Sequence, residues 1–136
     1  MSLSQTIRSA IYDILSYSLS IPIISFETQP NLNISKIVIL GGIDERDSNI
    51  KCKSLNIRNL DVIIKVLFKQ IQKQSSYEDM EQAAFDIQNL LDNVALDITP
   101  YECLDCSFVS STTDIQDDGV GVWLQKTLIF KIVCIK

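Results

Sequence analysis

From Val120 to Ile135 the even positions Val122, Leu124, Leu128, Phe130, Ile132 and Cys134 are apolar, and Lys126 is the single interruption. The odd positions include Trp123, Gln125, Thr127 and Lys131. Successive side chains of a strand point to opposite faces, so a period of two sustained this far demands an extended segment with one face in a core. A strand of this length sits inside a sheet or runs past its end. Asn59 to Ile71 is the clearest strand. Leu60, Val62, Ile64, Val66 and Phe68 share one face, while Asp61, Lys65 and Lys69 lie on the other. Ile63 and Leu67 make that second face partly apolar, so it too needs a cover, for which a partner subunit is a candidate.

Two segments switch to helical spacing. Leu3, Ile7, Ala10, Ile11, Ile14 and Leu15 recur at steps of three and four, and Pro22 lies beyond the end as a stop. Ser76 to Val94 carries the stripe Met80, Ala83, Ala84, Ile87, Leu90, Leu91 and Val94. Ser75 or Ser76 supplies the cap of an acidic first turn, and the two alanines predict close packing of this helix on a sheet.

The other elements are shorter or mixed. Ile21 to Phe26 reads as a small strand or an anchored loop, and Lys36 to Leu40 as a strand. Gly41-Gly42 follows without the spacing or the Gly-Lys-Ser/Thr ending of a phosphate loop, so it reads as a bulge or bend near a sheet edge. Residues 44–59 suit an extended arm or hairpin. Glu102 to Thr113 is extended, and the polar tract Thr113 to Gly119 ends in a turn at Asp117-Asp118-Gly119. The order helix, two or three strands, helix, two strands predicts an α+β fold: a single domain over residues 1–136, with a mainly antiparallel sheet of about four strands and two packed helices.

Length and composition remove many functions. A chain of 136 residues suits one core. No apolar run reaches the roughly 20 residues that cross a bilayer, and the N-terminus lacks the pattern of a secretion signal, so no membrane role is expected. Histidine is absent, which rules out Ser-His-Asp and Cys-His triads and histidine metal sites. Cys103 and Cys106 have the spacing of a redox pair or half a zinc site. Residues three apart in a regular strand point to opposite faces, however, so these thiols are expected not to form one site. The carboxylates Asp44, Glu45, Asp47, Asp117 and Asp118 fall in polar turns without the arrangement of a glycosidase or calcium loop. Neither catalytic, cofactor-binding nor metal-ligating residues are predicted.

Charge is unevenly distributed. The formal net charge of -5 combines +3 over residues 1–74, -11 over 75–118 and +3 over 119–136. An acidic helix facing basic residues of a neighbour is one way to use that asymmetry. Lys51, Lys53 and Arg58 are candidate basic partners, and Asp79 and Asp86 are candidate acidic ones. Lys65 and Lys69 form a stripe with Lys73 that is able to touch phosphate, and Trp123 completes the candidate interface. No zinc-finger, helix-turn-helix or stacking signature accompanies them.

The helix Ile7-Arg8-Ser9-Ala10-Ile11-Tyr12-Asp13-Ile14-Leu15, the strand Asn59-Leu60-Asp61-Val62-Ile63-Ile64-Lys65-Val66 and the closing strand Gly121 to Lys131, in this order, resemble the tail-terminator and tail-completion proteins of tailed bacteriophages. The resemblance implies a non-enzymatic virion protein of the neck or tail, assembled in the bacterial host cytoplasm. It implies a homo-oligomeric ring, with a hexamer favoured over a dodecamer. Such a ring caps or joins neighbouring neck, portal-adaptor or tail-tube proteins and surrounds a channel for DNA without sequence-specific binding. A non-viral adaptor that binds a partner through an exposed strand edge, and a weak nucleic-acid binder, are the alternatives.

Overall fold

The computed structural model describes residues 2–25, 35–46, 57–70, 73–117, 119 and 121–136. Helix α1 (Leu3–Ser18) opens with a capping box: the Gln5 backbone N–H donates to Ser2 Oγ at 3.2 Å, and the Ser2 N–H donates to Gln5 Oε1 at 2.9 Å. It buries Leu3, Ile7, Ile11 and Leu15 along one stripe. There follow β1 (Ile23–Ser25), β2 (Lys36–Arg46), β3 (Ile57–Lys69), α2 (Lys73–Leu91), β4 (Glu102–Asp117) and β5 (Val122–Ile135). The five strands form one sheet in the order β1-β2-β3-β5-β4, antiparallel except for the short β1–β2 pair. This is the α+β domain expected, with the Ile21–Phe26 segment supplying a three-residue fifth strand.

The long closing strand sits next to the centre, as its length required. β5 pairs with β3 from Ile57↔Ile135 to Lys69↔Trp123 and with β4 on its other side. Leu60, Val62, Ile64, Val66 and Phe68 of β3, with Leu124, Leu128, Phe130, Ile132 and Cys134 of β5, face the helices. Met80, Ala83, Ala84, Ile87 and Leu91 of α2 close onto them. Each fully buried Leu, Ile or Phe in that layer contributes about 1.5–3 kcal/mol relative to exposure. The small Ala83 and Ala84, 6% and 2% exposed, let the helix backbone approach the sheet.

Several boundaries differ from the sequence reading. Helix α2 begins at Lys73, so Ser76 lies within it and is buried rather than capping it, and the first turn holds no acidic residue. The helix stops at Leu91 because Asn93 takes φ 61°, a left-handed conformation that Asn tolerates, and Leu96 and Ile98 then return to the core. Lys73 thereby leaves the lysine stripe. The polar tract through Asp117 belongs to β4: backbone pairing with β5 holds it extended despite its composition. Of the arm expected over 44–59, residues 44–46 belong to β2 and 57–59 to β3; the rest lies outside the described residues.

Gly41-Gly42 forms a bulge, as expected, because two residues lie between Leu40↔Ile64 and Ile43↔Val62 where β3 has only Ile63. A Cβ on Gly41 would meet the Ile63 carbonyl oxygen at 2.8 Å, so the close approach of the two backbones requires glycine. β4 has two further bulges, with Leu104 and Val109 as the extra residues. The first corrects the expectation for the cysteines. It shifts the alternation by one, so Cys103 and Cys106 point to the same, helix-side face.

Candidate interaction surface

Both helices lie on one face of the sheet, so the opposite face and the two sheet edges are where another molecule has most to meet. The pairing register places Ile39, Lys65 and Thr127 in one row of the outer face, Ile63 and Ile129 in the next, and Lys69 beside Trp123 at one end. These side chains are half-buried. Ile37, also on this face opposite Leu67, is fully buried yet stands apart from the helix-side core. The partly apolar second face inferred from Ile63 and Leu67 is therefore present, with Lys65 set among its isoleucines.

At the β4 edge the strand changes character along its length. Near its start the edge is closed from within the chain. The Asn93 N–H donates to the Cys106 carbonyl at 2.7 Å, and Asp92 Oδ1 accepts from the Phe108 N–H at 3.0 Å. Phe108 packs edge-on to Phe130, with ring centroids 5.7 Å apart. Beyond this point every residue from Ser111 to Asp117 is exposed. Leu104, Val109 and Ile115 show 51%, 53% and 65% of their surface, a high figure for apolar side chains on an edge strand. Tyr77 and Phe85 of α2 are also exposed. On the opposite edge β1 pairs only with Val38–Leu40, and among the described residues β2 has no strand partner on that side past Leu40.

The charged residues singled out in the sequence divide among three places. Lys65, Lys69 and Trp123 share the outer face, whereas Asp79 and Asp86 stand on α2 in the helix layer. A cleft of about 520 Å³ nevertheless has Lys36 and Lys69 in its lining together with Asp79 and Asp86. Asp86 accepts from Gln82 at 2.9 Å. Arg58 is engaged within its own chain: Nη2 donates to Glu45 Oε2 at 2.7 Å, Nη1 donates to the Tyr101 hydroxyl at 3.3 Å, and the guanidinium lies 5.8 Å from the Tyr101 ring centroid. The hydrogen bond from Arg58 holds the Glu45 carboxyl below its ordinary value. Lys51 and Lys53 lie outside the described residues.

Sequence reasoning noted Lys126 only as an interruption and missed its partner. Its Nζ donates to both Glu81 oxygens, at 2.7 and 2.8 Å, so part of the charge complementarity assigned to a neighbour operates inside the chain. Burial pushes the Cys106 thiol up to about 12, which suits a core side chain rather than a nucleophile. Among the described residues no group of three or more Cys, Asp or Glu side chains is arranged to hold a metal ion, and no helix is long and apolar enough to cross a membrane.

Comparison with protein-family models and with curated proteins finds no match. The fold itself has solved counterparts. A chain from a structure titled "Virion of native gene transfer agent (GTA) particle" superposes with a TM-score of 0.68 at 14% identity, covering 99% of this chain and 92% of that one. A second solved protein matches with a TM-score of 0.60 at 11% identity, covering 97% of this chain and 96% of its own. At these identities the likeness is one of fold, and it extends over more than nine-tenths of each chain.

Proposed function

We propose that this protein is a structural subunit of a phage-like particle, forming a ring in the neck or tail that caps or joins the tail to the head around the DNA channel. The observation that supports this reading is the whole-chain likeness to a chain of the gene transfer agent virion. The likeness takes in 99% of this chain and 92% of that one, not a short motif. Six copies are favoured and twelve are the alternative.

A closed ring needs two different surfaces that meet head to tail. The open stretch of β4 and the part of β2 past Leu40 lie at opposite edges of one sheet. Backbone pairing between them would carry the sheet from one subunit into the next.

Native mass measurement and two-dimensional class averages of the purified chain test the proposal. Rings are expected, and V109K/I115K, which charges two exposed positions of β4, should shift them to monomers while the circular dichroism spectrum is retained. A wild-type chain that stays monomeric at high concentration, and forms no ring beside neck or tail proteins, would refute it. Capture of one partner in a one-to-one complex would favour the adaptor reading instead.

A further inference from the structure

Three cysteines that the sequence scatters are gathered at one end of the β4–β5 pair. Cys103 and Cys134 are directly opposite in the register, and the bulge at Leu104 brings Cys106 onto the same face. All three are free thiols; Cys103 is half-buried, and Cys106 and Cys134 are buried. Directly opposite residues of an antiparallel pair have Cα atoms about 4.5–5.5 Å apart. That lies inside the span of about 4.4–6.8 Å over which a disulfide closes. Cys106 stands farther from both than they stand from each other. It pairs with Ile132, so Cys134 is its diagonal neighbour at about 7–8 Å. Along β4, the bulge at Leu104 takes up one residue, so Cys106 lies about 6.5–7 Å from Cys103, the spacing of Ile132 and Cys134 opposite.

We propose that Cys103 and Cys134 are an oxidative modification site, a thiol pair that closes into a disulfide clasp between β4 and β5 on meeting a small-molecule disulfide such as oxidised glutathione. Cys103 is the point of entry. It lines a surface cleft of about 180 Å³ with Asn93, Leu104, Asp105 and Cys106, and of the three thiols it alone is half-buried; Cys106 is 1% and Cys134 0% exposed. The Cys103 thiolate attacks one sulfur of the small disulfide, breaks its S–S bond and releases one small thiol. Cys134 then loses its proton and attacks the Cys103 sulfur, which expels the second small thiol. The two protein sulfurs lose two electrons, the small disulfide gains them, and the two protons leave on the released thiols.

The clasp has a structural consequence for the edge strand. β4 is tied to the sheet on one side only, and its far half is exposed throughout. A covalent link near its first residue restricts the whole hairpin in the unfolded chain, which favours the folded state.

The test is to incubate the full native chain with excess oxidised glutathione, block remaining thiols, and combine intact mass with peptide mapping without reduction. The expected product has lost two hydrogen atoms, contains a Cys103–Cys134 linked peptide pair and melts about 5–10 °C above the reduced protein. C106S should form the same link and C103S should form none. Arrest at a mixed disulfide, a link through Cys106 or Cys52, a link between chains, or no reaction overturns the site. An unchanged melting temperature in the linked protein overturns the clasp.

Discussion

Lys126 sits at an inward position of β5 between Leu124 and Leu128, opposite Val66 of β3 and Thr113 of β4. Its side chain is 15% exposed and that of Glu81 is 35% exposed. Unit charges about 3 Å apart attract by roughly 5–6 kcal/mol at an effective dielectric constant of 20. Desolvation of the ammonium removes most of that gain, so the intact pair contributes little net stability. The two ways of breaking it are unequal. E81Q leaves the sheltered ammonium without its counter-charge and should cost about 1–3 kcal/mol. K126M removes the buried charge, extends the apolar stripe of β5 and leaves a carboxylate that can turn to water, so it should fall within about 1 kcal/mol of wild type. The double variant E81Q/K126M should recover most of the E81Q loss. Urea unfolding followed by circular dichroism, with equal m-values across the set, measures all four proteins. If K126M costs as much as E81Q or more, the pair is a net stabiliser and the unequal-desolvation argument is wrong.

Two further predictions concern β2. G41A drives a methyl group to within 2.8 Å of the Ile63 carbonyl oxygen, whereas a Cβ on Gly42 meets nothing within 4 Å. G41A should therefore cost about 1–3 kcal/mol and G42A should stay within about 0.5 kcal/mol, as read from thermal or urea unfolding. The Glu45–Arg58 pair is partly exposed, so E45Q should cost only about 0.5 kcal/mol at neutral pH. Because Arg58 lowers the Glu45 carboxyl below its ordinary value of 4.5, that contribution is present above 4.5 and disappears as pH falls through the lowered folded-state value. Unfolding curves of wild type and E45Q should converge once the pH is below the lowered folded-state value; a difference that persists in strong acid would contradict the assignment.

The fold was legible where one periodicity extended over many residues. The even positions of β5 and β3 alternate without ambiguity, and the Met80-to-Leu91 stripe has a single helical solution, so the α+β order followed directly. Legibility failed where tertiary pairing overrode local signals. Thr113 to Asp117 has the composition of a loop, yet β5 holds it as strand. Ser75 and Ser76 carry the chemistry of a cap, yet the helix begins at Lys73. The partner of Lys126 was hidden for a related reason. Glu81 is 45 residues away, and only the seating of α2 on β3 and β5 brings the two charges together.

Bulges account for the rest of what the sequence concealed about the surface. Which way a strand residue points is counted from the partner strand, and one inserted residue reverses every position after it. The bulge in β2 announces itself, because Gly41 is the residue that tolerates a carbonyl so close. Those in β4 fall at Leu104 and Val109, ordinary strand-forming residues with nothing in their neighbours to mark them. The consequences are chemical as well as geometric. Alternation without the first bulge would place Cys103 and Cys106 on opposite faces; with it, both thiols lie on the face that holds Cys134. The same bulges turn Leu104 and Val109 outward along an edge that, among the described residues, has no strand partner on its outer side. A sheet edge meant only for solvent is usually blunted with charge or proline. This one presents Leu104, Val109 and Ile115 among Asp105, Asp114 and Asp117, so its exposed apolar side chains alternate with the charge that blunts an edge.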